Sequence, residues 1–250
     1  MIFNKFFILF KIGRKIGKSN IINIVSETHK IPVFIKIFFN LLAFSFSSSK
    51  DTKSKENLSA SIQEMGTTFI KLGQFLATRP DIIGEKLSKE LVSLQDKLPP
   101  FSKKEAEKII IENLGQSNFD DIIDLSDPIA AASIAQVHKA KIKEDNTIKN
   151  VAIKVLRPNI KKIFNEEIDA IMLLAYIVES LITKTKRLKL IEVVFLFKEI
   201  TNHEMDLRFE AAAANEYAEN TKNDLGFFVP KIYWNFTSEC VLTLDCVDGG

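Results

Sequence analysis

Val151, Ile153 and Val155 alternate with Ala152 and Lys154. On a strand, successive side chains point to opposite faces, so the three β-branched residues share one face and Lys154 projects from the other. A helix would scatter the same residues around its axis. Residues 150–156 therefore predict a strand with one buried face. Residues 130–142 predict the strand before it, with the polar turn Glu144-Asp145-Asn146 between the two.

The flanking text has a different period. Ile62, Met65, Phe69, Leu72 and Leu76 recur at three- and four-residue steps and predict one helix with a single apolar stripe. Thr67, Lys71 and Gln74 fall on its opposite side, Gly73 lies near the stripe, and Arg79-Pro80 ends it. Leu87, Leu91, Leu94 and Leu98 predict a second helix, stopped by Pro99-Pro100. A third opens with a capping box, Ser102 and Glu105, and closes near Gly115. After Pro158 a long helix is expected to about residue 182, and another from roughly 190 to 219. Short strands near 227–233 and 240–244 complete the pattern. The fold class is α+β.

Composition narrows the function. Cys240 and Cys246, the two cysteines, are too far apart for a C-x-x-C pair, which excludes a disulfide scaffold and a cysteine zinc site. His29, His138 and His203 share no metal-ligand spacing. The net charge of +2 hides an asymmetry. Residues 1–50 hold eight Lys or Arg against one acid, Glu27, and nine of the 20 Phe. A basic arm studded with Phe, Ile and Leu fits an anionic membrane surface. No Arg-rich or glycine–aromatic RNA-binding pattern accompanies it, so nucleic acid is not an expected partner. The most apolar stretch, residues 31–46, is too short for a membrane span and is interrupted by Lys36 and Asn40, so an interfacial helix is expected. A polar run from Ser47 to Glu56 reads as a linker.

The chemistry is concentrated around Lys154. Ala130-Ala131-Ala132-Ser133-Ile134-Ala135-Gln136-Val137 follows the spacing of a protein-kinase glycine-rich loop, with alanine at every glycine position, and Val151-Ala152-Ile153-Lys154 then matches V-A-I-K. Small residues let the backbone approach phosphates and the lysine neutralises them. Alanine lacks the positive φ open to glycine, so this loop is expected to be the stiffer.

Further stretches fall in a telling order: Lys71-Leu72-Gly73-Gln74, Ser93-Leu94-Gln95-Asp96-Lys97, the alanine loop running on to His138, Lys154-Val155-Leu156-Arg157-Pro158, and Glu204-Met205-Asp206-Leu207-Arg208-Phe209-Glu210-Ala211. In that order the chain resembles the UbiB family of atypical protein-kinase-like proteins, associated with ubiquinone biosynthesis, over roughly residues 62–249.

The resemblance implies a protein-kinase-like amino-terminal lobe, an antiparallel sheet plus helices, with a helical extension before it. The expected divisions are interfacial helices over 1–50, the helical extension with its K-x-G-Q motif over 51–125, and the small lobe over 126–250. By the resemblance, Lys154 and the loop Ala130–Val137 would hold the phosphates of ATP, and Glu210 would pair with Lys154. Lys71 and Gln74 would face the nucleotide cleft, while Glu204 and Asp206, the E-x-D element, would engage Lys71. Val241-Leu242-Thr243-Leu244-Asp245-Cys246-Val247-Asp248-Gly249 resembles the last strand and hinge, so the large lobe is expected to be missing, and with it the Mg ligands; no metal ligand is expected in this chain. The resemblance further implies a Mg-ATP-dependent kinase or ATPase at the cytoplasmic face of a bacterial inner membrane. Quinone-precursor lipids and quinone-biosynthesis proteins are its expected partners, and this piece alone is expected to be inactive. The alternative is a non-catalytic lipid-binding or scaffold pseudokinase module.

Deleting residues 1–50 is expected to release the protein from anionic liposomes in a flotation assay; unchanged flotation would remove the arm as the membrane contact.

Overall fold

The computed structural model describes residues 8, 10–15, 17, 58–94, 96, 98–145, 147–181 and 183–247. Apart from positions 8, 10–15 and 17, the arm expected to be interfacial lies outside them, as do the linker, Asp248 and Gly249. The chain divides into two compact units, one of residues 1–96 and 162–199 and the other of residues 97–161 and 200–250.

The first unit is helical. Its opening helices, α1 (Leu58–Met65) and α2 (Thr67–Ala77), carry the expected apolar stripe, but as two helices rather than one. The break is Gly66, whose φ of +99° a residue with a Cβ rarely adopts. Its carbonyl accepts from the N–H groups of Phe69 and Ile70, so it ends one helix and starts the next. A short turn, α3 (Pro80–Ile83), precedes α4 (Glu85–Val92). Leu58, Leu87 and Leu91 form a small core joined by Ile62 and Leu76. The Ser59 hydroxyl donates to the Glu90 carbonyl at 2.8 Å and that of Ser88 to the Ala77 carbonyl at 2.6 Å, tying α4 to its neighbours. Leu94, expected on the second helix, lies beyond its end but stays buried. At Gly73 a Cβ would stand 2.6 Å from Leu94 Cδ2, so the glycine is the space that Leu94 occupies. Most of α7 (Ile160–Leu181) and α8 (Leu190–Glu204) belongs to this unit, where Phe197 packs on Phe75 and Phe164 at ring distances of 5.6 and 5.7 Å.

The second unit holds the sheet. Helix α5 (Lys103–Leu114) begins with the expected capping box: Ser102 Oγ accepts from the Glu105 N–H, and Glu105 Oε2 accepts from the Ser102 N–H. Gly115 closes it, donating to the Ile111 carbonyl. After α6 (Gln116–Asp120) come β1 (Ile122–Ile123), β2 (Pro128–Ala131), β3 (Ala135–Glu144) and β4 (Thr147–Leu156), and near the end β5 (Val241–Asp245). The order is β1-β3-β4-β5, with β2 also on β3, and every pairing is antiparallel. Val151, Ile153 and Val155 are fully buried with Ile110, Ile142, Tyr233, Phe236 and Val241. Each of the three contributes roughly 1.5–3 kcal/mol by leaving water, more than intrinsic strand propensity can supply, so burial fixes the register. Tyr233 donates from its hydroxyl to Asp245 Oδ1 at 2.5 Å, holding the end of β5. Burial, then Asp245, pushes the Tyr233 phenol well above its ordinary pKa.

Three further expected elements differ. The strand over 130–142 is two, because Ala132 N–H donates back to the Ala135 carbonyl and turns β2 into β3. The helix over 190–219 is also two, α8 and α9 (Leu207–Thr221), because Asp206 sits extended at φ −123°, ψ 98° and caps the second. Asp206 is the cap of α9 and Glu210 lies in its first turn. Near 227–233 a single bridge, Ile232 to Leu244, replaces the strand, and Phe227 and Phe228 are exposed.

Ser102→Ala removes one half of the capping box and is expected to lower unfolding stability by about 1 kcal/mol in urea denaturation. An unchanged midpoint would show that α5 needs no cap.

Candidate functional site

Lys154 follows from the register of β4. With Ile153 and Val155 turned into the core, its side chain leaves the opposite face, between Val137 of β3 and Leu242 of β5 in the ladder. Glu210 follows from the break at Asp206. Capping restarts the helix, and one turn later Glu210 reaches Lys154 Nζ with both carboxylate oxygens, at 2.9 and 2.7 Å. Lys154 is 26% exposed and Glu210 50%. Water screens so exposed a pair and leaves it a small part in stability. Its geometric effect is larger, since it holds an ammonium group forward on the sheet, where it can meet an anion.

Asp206 is bound more tightly. Its Oδ1 accepts from the Arg208 N–H and Nε, and its Oδ2 from Nη2 at 2.7 Å. The Arg208 hydrogen bond, against the opposing effect of burial, holds the Asp206 carboxyl below its usual range, and Arg208 is raised in turn. Glu204, the other acid of the E-x-D element, is the exposed last residue of α8. In the helical unit, Lys71 Nζ lies 3.6 Å from Asp96 Oδ2, with the lysine 15% exposed. Gln74 is half-buried one turn further along α2.

The alanine loop is pinned from within its own unit. Ala130 is exposed and Ala131, Ala132 and Val137 are half-buried, whereas Ser133, Ile134, Ala135 and Gln136 are buried. Gln136 grips the backbone of Phe101 at both ends: its Oε1 accepts from the Phe101 N–H at 2.9 Å, and its Nε2 donates to the Phe101 carbonyl at 3.2 Å. Nε2 also stands 2.9 Å from His138 Nε2, whose ring reaches the Ser126 carbonyl through Nδ1 at 2.8 Å. A carbonyl only accepts, so the proton sits on Nδ1 and Nε2 accepts from Gln136. Arg157, at the exit of β4, binds the carbonyls of Ala132, Pro99 and Leu98 through its guanidinium.

The resemblance gave no role to Arg157, Asp96 or Arg208. Each stood within a quoted stretch, but a charged residue in a sequence does not announce which backbone carbonyl or carboxylate it will meet. Among the described residues no group of three His, Cys, Asp or Glu is placed to hold a metal, and no helix is long and apolar enough to cross a membrane. Burial, the largest influence, pushes the Cys240 thiol up, away from thiolate reactivity.

Asp206→Asn tests the acid end. A carboxyl depressed in the fold stabilises it fully above its unfolded pKa of about 3.9 and loses that contribution as pH falls through the lower folded value. Wild type is therefore expected to exceed Asp206→Asn in unfolding stability above about pH 5, with the gap closing below about pH 3.9. A gap independent of pH would show that the carboxylate charge plays no part.

The family model of the ABC1 atypical kinase-like domain matches residues 93–250. A "Probable protein kinase UbiB" from Marinobacter nauticus is 33% identical over 221 residues, covering 88% of this chain and 40% of its own length. Its namesake from Azotobacter vinelandii is 35% identical over 198 residues, 77% of this chain and 35% of the relative. One from Pseudomonas paraeruginosa is 30% identical over 245 residues, 96% and 45%. The chain thus spans less than half the length of these curated relatives.

Proposed function

The chain belongs to the ABC1 atypical kinase-like family, and on that premise we propose that the whole protein binds Mg-ATP through Lys154 and acts as an atypical kinase or ATPase. The observation that carries this reading is the two-pronged contact of Lys154 with Glu210. In kinases the third-strand lysine, held by a helix glutamate, neutralises the phosphates of ATP and orients them for transfer. A lysine ammonium suits that task as a compact point charge with three donors.

In this reading the loop of Ala130, Ala131, Ala132, Ser133, Ile134, Ala135, Gln136 and Val137 covers the nucleotide. Glu204 and Asp206, in the same unit as Lys154, limit what else enters the cleft. Mg, when bound, would supply charge neutralisation at the phosphates. The name that the relatives carry supports a role in ubiquinone biosynthesis, and the basic, Phe-rich arm supports a membrane surface; in this reading the protein works at the cytoplasmic face of a bacterial inner membrane, with quinone-precursor lipids and quinone-biosynthesis proteins as partners.

The experiment is Mg-dependent nucleotide binding and turnover by the whole protein. Lys154→Ala is expected to abolish both. Glu210→Gln, which leaves Lys154 in place but frees it, is expected to lower turnover more than tenfold while nucleotide still binds. Normal ATP binding by Lys154→Ala would refute the reading. Lipid binding with no turnover by the wild type would transfer the assignment to a non-catalytic lipid-binding scaffold.

A further inference from the structure

Arg157 stands three residues after Lys154, where β4 ends, and its contacts join two pieces of backbone. Its own N–H donates to the Ile134 carbonyl at 2.8 Å. Its guanidinium donates to the Ala132 carbonyl twice, from Nε at 3.0 Å and Nη2 at 2.8 Å. The other side of the fork reaches Pro99 at 3.0 Å from Nη1 and Leu98 at 3.3 Å from Nη2. Its charge also lies 5.8 Å from the centre of the Phe101 ring, within cation–π reach. Gln136 fastens the same strap at Phe101 from the far side of the loop.

Two carbonyls of the turn between β2 and β3 are thereby fixed by one residue. Two donors on one carbonyl define its direction as well as its distance, and the peptide bond is planar, so the orientation of the whole unit joining Ala132 and Ser133 is set. Alanine at these positions narrows the conformations open to the turn, and Arg157 with Gln136 chooses among those remaining. The strap that shares the clamp contains Pro99-Pro100, which is stiff in itself.

We infer that Arg157 is a positioning residue that locks the alanine loop in one conformation and so sets its affinity for nucleotide phosphates. The second half of this statement rests on the nucleotide reading above; the first does not. Arg157 touches neither Lys154 nor Glu210 in any contact described, and acts through the backbone of Ala132 and Ile134. When only a fraction of molecules holds the competent conformation, apparent affinity falls by that fraction. A loop freed to be competent one time in about ten would bind about tenfold more weakly.

The test uses the whole protein with Arg157→Met and Arg157→Lys, read by amide hydrogen exchange without nucleotide and by titration with a fluorescent ADP in the presence of Mg. Exchange of the amides over 132–134 is expected to quicken about tenfold in Arg157→Met, while those in the β3–β4 ladder stay as in the wild type. Arg157→Lys, which keeps the charge and stem but not the fork, is expected to fall between. Fluorescent ADP should bind about tenfold more weakly to Arg157→Met. Lys154→Ala should lose nucleotide with loop exchange unchanged.

Equal exchange in wild type and Arg157→Met would overturn the clamp. A uniform rise across the whole sheet, shared by Arg157→Lys, would overturn it too, as Arg157 would then serve only general stability. Quickened exchange with unchanged affinity overturns the link to nucleotide. A wild type that binds no ADP defeats the nucleotide reading and that link with it, leaving exchange alone to decide the clamp.

Discussion

The burial of Val151, Ile153 and Val155 is the constraint on which the sheet unit depends. Once these three side chains enter the core, a one-residue slip of β4 is closed off, because it would place Lys154 among Ile110, Tyr233 and Phe236 and leave the valines in water. The lysine's position is thus a by-product of hydrophobic packing. The same strand then delivers Arg157 to the turn within the alanine loop. One register therefore places both the charge facing outward and the charge that holds the backbone.

Local polar interactions decide where the helices stop. Gly66 and Asp206 both fall inside apolar patterns that run on without a gap, and at both the chain breaks its helix. Gly66 does so by conformational freedom. Asp206 does so by competition: its carboxylate offers the Arg208 N–H an acceptor outside the helix, and Leu207 N–H turns to the Glu239 carbonyl instead. Met205 and Leu207 on either side are buried, so the kink does not expose the core. Without it, Glu210 would lie on an uninterrupted helix continuing α8.

What the sequence made legible follows that division. Period-two patterning located the β3–β4 hairpin and the S-x-x-E spacing located the capping box at Ser102, since each rests on near neighbours or on one buried face, whereas the contact of Lys154 with Glu210 was expected from the family resemblance alone. The turn at residues 132–134 was read through, because alanine and isoleucine suit a strand as well as a hairpin corner. The expected strand near 227–233 was lost for the opposite reason: Phe227 and Phe228 have strand-like chemistry but no ladder to join. Arg157 had no legible role, and Gln136 none beyond its place in the phosphate loop, since the partners they meet are backbone groups of Leu98, Pro99, Phe101 and Ala132, and a backbone group has no signature in a sequence.

The two attachments at this site answer differently to their surroundings. Lys154 and Glu210 are opposite charges partly open to solvent, and dissolved ions weaken such a pair as they accumulate. Arg157 meets neutral peptide carbonyls, and a guanidinium keeps its proton across the whole range of acidity in which proteins survive. Neither brine nor alkali offers the Ala132 carbonyl a replacement for the fork that holds it. In concentrated salt the lysine would be released to wander while the loop beside it kept its shape, so ionic strength separates the mobile half of the site from the fixed half without changing a single residue.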